Sequence, residues 1–76
     1  MTDPSTTRVY GKIQKAPDLE AHLRVVEVDG IRMLEMRDYI LSIGEYGRGY
    51  WAPLTGEVLR ILAASLHTLK SDEGLS

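Results

Sequence analysis

The side chains best suited to binding chemistry fall close together in this chain. Tyr39, Tyr46, Tyr50 and Trp51, with Arg37 and Arg48 among them, all lie in RDYILSIGEYGRGYWAPLTGE, residues 37–57. Aromatic rings stack nucleic-acid bases for ~1–3 kcal/mol each, and guanidinium groups follow phosphates. The same residue types form hot spots in protein–protein interfaces, and composition weighs the two uses equally. Packing is a third use. The chain has no phenylalanine, so Tyr39, Tyr50 and Trp51 are also candidates for the rim of an aliphatic core.

Catalysis has less to build on. Asp38 and Glu45 are two carboxylates near a hairpin end, where charge is ordinarily solvated. His22 and His67 have no carboxylate or nucleophile at a fixed spacing, and general acid–base work needs a positioned partner. GEYGRG (44–49) lacks the Walker lysine and the strand–loop–helix setting of a phosphate cradle. With no cysteine, disulfides and thiolate metal sites are both absent. The expectation is a non-enzymatic protein without cofactor or metal.

The remaining composition sets bounds. Seventy-six residues make one small domain, of a size that buries only ~60% or slightly more of its unfolded surface. Oligomerisation is the remedy left open once disulfides and metals are removed. The net charge of −2, from nine basic and eleven acidic residues, argues against holding nucleic acid by bulk charge but allows a local basic surface. No apolar run reaches the length of a membrane span. MTDPSTTR lacks the basic-then-apolar form of a signal peptide. A cytoplasmic location is expected.

The elements that must position the rings and arginines follow from pattern. Residues 1–6 and 71–76 read as disordered tails around one domain over 7–70. RVYGKIQK (8–15) reads as a strand weakened or bulged at Gly11, with Val9 and Ile13 on one face and Arg8, Tyr10, Lys12 and Gln14 on the other. APDLEA (16–21) reads as a turn or loop. In AHLRVVEVDGIRMLEMRDYI, two β-rich runs flank Asp29-Gly30, which predicts a type I′ hairpin.

A two-residue turn fixes the register from Val28–Ile31 out to Leu23–Met36. Arg24 then faces Glu35 and Glu27 faces Arg32, so both charged pairs are opposite in sign. Leu23, Val25, Leu34 and Met36 share one face with the Glu27–Arg32 pair. The other carries Val26, Val28, Ile31 and Met33 near the turn, and His22, Arg24, Glu35, Arg37 and Tyr39 beyond. One face is expected to lie under a helix, the other under a ligand or second chain.

Residues 41–49 lose periodicity and read as a loop, with a possible short strand over 50–52. Thr55 then reads as an N-cap with Glu57 in the first turn. A helix over 56–70 carries a wide apolar stripe from Val58 to Leu69 and ends on Lys70. The layout is α+β.

VDGIRMLEMRDYI resembles the hairpin region of the transcriptional coactivator PC4-like family, which binds single-stranded DNA. Glu35-Met36-Arg37-Asp38-Tyr39 is similar to that family's acidic–aliphatic–Arg–acidic–Tyr string. Gly47-Arg48 resembles its loop Gly-Arg pair, Leu54-Thr55-Gly56-Glu57 its Leu-Asn-Pro-Glu helix start, and YGKI (10–13) its first strand. The likeness covers roughly residues 9–69. It implies a small curved antiparallel sheet of about four strands followed by one C-terminal helix. It also implies a homodimer paired through the helices, with single-stranded or melted DNA on the sheet and a possible transcription-cofactor role.

Departures from the family pattern are concentrated on the expected binding face. Val28 and Ile31 replace an aromatic and a lysine, Ile40 replaces an aromatic, and GYW (49–51) stands where the family has Lys-Gly before its last strand. The linker 14–22 is also longer. The expected DNA contacts are Lys12, Arg24, Arg37, Tyr39, Tyr46, Arg48, Tyr50 and Trp51. The alternative is a small homodimeric interaction or regulatory module, with a protein partner and no affinity for nucleic acid.

Overall fold

The computed structural model describes residues 8–75. Four strands, β1 (Arg8–Ala16), β2 (Leu19–Val28), β3 (Ile31–Ile40) and β4 (Glu45–Pro53), precede one helix, α1 (Gly56–Asp72). They form a single antiparallel sheet in the order β1-β2-β3-β4. The expected α+β class, a curved four-stranded sheet followed by a C-terminal helix, is the fold observed.

The β2–β3 hairpin has the register that the Asp29-Gly30 turn dictates, from Val28–Ile31 through Arg24–Glu35 to Leu19–Ile40. Asp29 (φ 53°) and Gly30 (φ 79°) both lie in the left-handed region, as a type I′ turn requires. The faces sort by parity, since side chains alternate along a strand. Leu23, Val25, Leu34 and Met36 point to one side, here the helix face. Arg24, Val26, Met33, Glu35 and Arg37 point to the other, here the hub face.

Four expectations are corrected, three in the sheet and one at the end of the helix. The register of β1 shifts between Val9 and Gly11, so Tyr10 is the bulged residue. Val9 pairs with Arg24 and Ile13 with Ala21, which puts Val9 and Ile13 on opposite faces. The extra residue of a bulge resets the alternation.

The turn before β2 is only Pro17-Asp18, since the strand starts at Leu19. The loop expected over 41–49 is a turn over 41–44, and β4 starts at Glu45. Tyr46 and Arg48 are therefore strand residues. Gly49 makes the close approach of this strand to β3 possible. A Cβ on Gly49 would lie 2.8 Å from Arg37 Cγ and 3.0 Å from Met36 O, so the Arg37 stem occupies the space that a side chain would need.

Asp18 ties the two turns at this end together. Its Oδ1 accepts from the Ser42 backbone N–H and its Oδ2 from the Ser42 hydroxyl, both at 2.7 Å, and its carbonyl accepts from Leu41 N at 3.0 Å.

Helix α1 begins as its sequence signals, with Thr55 Oγ1 accepting from Val58 N at 3.1 Å. It continues to Asp72, two residues past the expected end, with Lys70 in its last turn. Gly74 (φ 68°) follows the last turn. The tail expected over 1–6 lies outside the described residues, as does Ser76.

The core is thin. Among the described residues only Ala21, Val25 and Val26 are buried apolar side chains, and no helix residue is buried. A cavity of about 500 Å³ opens between the sheet's Leu23, Leu34 and Met36 and the helix's Leu59, Leu62 and Leu66. Leu59, Ile61, Leu62, Leu66 and Leu69 remain 40–61% exposed. The radius of gyration is 14.2 Å, against about 11 Å for a compact chain of this length. The helix stands over the sheet without closing it.

Candidate functional site

The rings and cations singled out in the sequence divide between the two faces. The hub face takes Arg24, Arg37, Tyr39, Tyr46 and Trp51, with Lys12 in register opposite His22 at the β1 edge. Arg48 and Tyr50 are on the helix face, because Tyr50 pairs with Met36.

The centre of the hub face is Glu35, 1% exposed. Its Oε1 accepts from Arg24 Nε. Its Oε2 accepts from Trp51 Nε1 at 2.5 Å and from Arg37 Nη1 at 3.4 Å. Burial raises the pKa of this carboxyl, but the hydrogen bonds from Arg24 and Trp51 and the charges of Arg24 and Arg37 outweigh it. The net effect holds Glu35 below its ordinary value of 4.5. Arg37 Nε also donates to Gly47 O at 2.9 Å, and its guanidinium lies 5.9 Å from the Trp51 ring centroid. The Arg24 side chain is only 11% exposed and its guanidinium lies 4.0 Å from the Tyr46 centroid.

Next to the hub is a closed ring cluster. His22 stacks on Tyr39 with centroids 4.8 Å apart, and Tyr46 meets both rings edge-on. His22 Nε2 lies 2.9 Å from Glu20 Oε1, and Nδ1 lies 3.0 Å from the Tyr46 hydroxyl. A carboxylate only accepts, so Nε2 carries the proton, and in the neutral ring Nδ1 accepts from Tyr46. These side chains satisfy one another. They organise the face and leave few free hydrogen-bonding groups on it.

The helix face has a different character at its open end. A trough of about 330 Å³ crosses all four strands, from Ile13 and Lys15 over Ala21, Met36 and Asp38 to Arg48 and Tyr50. Lys15 Nζ bonds Asp38 Oδ1 at 2.7 Å, bridging β1 to β3 across β2. Tyr50 is 83% exposed. Among the described residues Arg48 makes no ion pair. The trough adjoins the helix-lined cavity through Met36 and Tyr50, which line both.

No protein-family model, curated protein or solved structure matches this chain.

Lys15 and Asp38 were not foreseen as partners across the sheet. The signal was obscured by two register shifts in β1, one at Tyr10 and one between Gln14 and Ala16, at Lys15 itself. The burial of Glu35 was also missed, although the cross-strand Arg24–Glu35 pair was legible. Among the described residues no three His, Asp or Glu side chains come together as a metal site. No helix there is long and apolar enough to cross a membrane.

Proposed function

We propose that the protein is a homodimer that binds single-stranded DNA, as the PC4-like resemblance implies, but along the trough on the helix face instead of the hub face, where most of the expected contacts lie. The carrying observation is the joint presence, in one groove that spans the sheet, of an exposed ring, Tyr50, and the cation Arg48, which makes no ion pair among the described residues, with Lys15 beside them paired to Asp38. Stacking on rings and phosphate contact from nearby cations are what single-strand binding requires. Trp51, 58% exposed beside Arg37, offers a second stacking position on the hub face.

The dimer partner is a second copy of the chain, seated on the helix stripe. Completing the burial of a half-exposed aliphatic side chain contributes about 1 kcal/mol, from ~1.5–3 kcal/mol for a whole one. Five such helix residues give roughly 4–7 kcal/mol per protomer, the order of a small domain's entire stability. An isologous helix-to-helix contact also matches the breadth of the stripe, which is wider than the sheet alone can cover.

One observation favours the second reading, a homodimeric interaction module without nucleic-acid affinity: Glu35 neutralises Arg24 and Arg37. Anisotropy of a labelled mixed-sequence single strand at two salt concentrations separates the readings. On the first, affinity falls with salt at a slope of about −0.7 per phosphate neutralised. Arg48→Ala and Tyr50→Ala each weaken binding while the dimer mass is unchanged. No binding at tens of micromolar protein in low salt would sink the DNA reading and leave the interaction module.

A further inference from the structure

We infer that Asp38 makes the trough base-selective, favouring guanine and disfavouring thymine; this rests on the trough being the single-strand site. A carboxylate within a phosphate-binding groove weakens attraction for the backbone, so its presence there calls for another role. Asp38 is held in place by Lys15 on Oδ1, while Oδ2 accepts no hydrogen bond among the described residues, and the side chain remains 26% exposed. It shares the trough walls with Tyr50. A base stacked on that ring has its polar edge within the same enclosure.

The edges differ in what they offer an acceptor. Guanine presents N1–H and the N2 amine side by side, a donor pair that matches the two oxygens of a carboxylate. Cytosine and adenine each offer one exocyclic amine. Thymine offers N3–H between two carbonyl oxygens, and those oxygens face the carboxylate with like partial charge. An ionised carboxylate only accepts, and single-stranded bases are read on these edges. The order is therefore guanine first, cytosine and adenine next, thymine last. The repulsive contact with thymine contributes to selectivity as much as the attractive one with guanine.

Lys15 has a double part in this arrangement. It holds the carboxylate in position through the 2.7 Å contact, and its remaining ammonium protons are available to a phosphate. The ion pair therefore couples backbone contact to base reading at one point of the groove.

The test uses the full chain and three labelled strands of equal length: all dT, alternating dT with 7-deaza-dG, and alternating dT with dI. The deaza base keeps the reading edge and prevents quadruplexes, while inosine lacks the N2 amine. The deaza-dG strand is expected to bind about tenfold tighter than dT, within the range of a good bidentate contact, with dI between them. In Asp38→Asn the amide both donates and accepts, so the preference is expected to collapse through tighter dT binding. Equal wild-type affinity for the three strands, or a preference for dT, overturns base selection and leaves the binding site standing. Failure of all three strands to bind overturns both. The wild-type comparison decides without relying on the variant's folding.

Discussion

Replacing Glu35 by alanine removes the one carboxylate that Arg24, Arg37 and Trp51 share. The three partners do not suffer equally. Trp51 is more than half exposed, so water can take its N–H, and Arg37 keeps Gly47 O. Arg24 is enclosed, and its charge loses the only carboxylate that pairs with it among the described residues. Breaking a buried pair from one side costs about 3–5 kcal/mol, and most of that loss belongs to Arg24. Against a total of ~5–15 kcal/mol for a small domain, this change leaves a marginal protein.

Urea unfolding followed by circular dichroism, at one fixed protomer concentration because the proposed association would add to stability, reads the difference. Arg24→Met with Glu35→Leu should recover most of it, since well-packed apolar replacements are often neutral. A loss below about 1 kcal/mol for Glu35→Ala would refute the claim that the hub stabilises this face. The pH dependence has a fixed sign. Glu35 titrates below its ordinary 4.5 in the folded chain, so its contribution is full above that value and is lost as pH falls through the lowered folded value. Glu35→Gln should lack this part of the acid destabilisation.

Other substitutions probe the elements around the site. Gly49→Ala drives a methyl into Arg37 Cγ and Met36 O and should lower stability by about 1–3 kcal/mol in the same urea assay. Thr55→Ala removes the acceptor for Val58 N; a loss of about 1 kcal/mol is expected, with reduced helical dichroism. Leu66→Asp changes a side chain already 61% exposed, so a single chain barely registers it. Sedimentation should nevertheless show a shift from dimer to monomer, and an unchanged mass would remove the helix stripe from the interface.

Much of the fold was legible where chemistry is local. Asp29-Gly30 can take left-handed dihedrals cheaply, and the turn it forms dictates ten cross-strand pairs by counting outward. Thr55 and Glu57 announce a helix start for equally local reasons. The start of β4 was hidden because EYGRG offers no apolar alternation. Gly49 is required by the Arg37 side chain on the neighbouring strand, a demand that becomes visible only when the strands are side by side. Glu35 was hidden for a related reason. A glutamate in an alternating strand reads as solvent-facing, and its burial needs Trp51 and Arg37 to converge on it from β4 and β3. The candidate rings and arginines could be picked out by type, but their division between two faces depended on parity, which the loop expected over 41–49 left open.

The strand order has a kinetic meaning. Each strand pairs with its neighbour in the chain, and the turns that join them are short. The sheet can therefore grow hairpin by hairpin, with little loop entropy to overcome and without waiting for distant segments. The helix stripe is different, because in the proposed dimer its missing contacts come from another molecule. Sheet formation should be first order, and completion of the apolar core second order in protein. Dilution then separates the two events in time, and at low expression the chain would pass through a folded sheet whose helix is still bare.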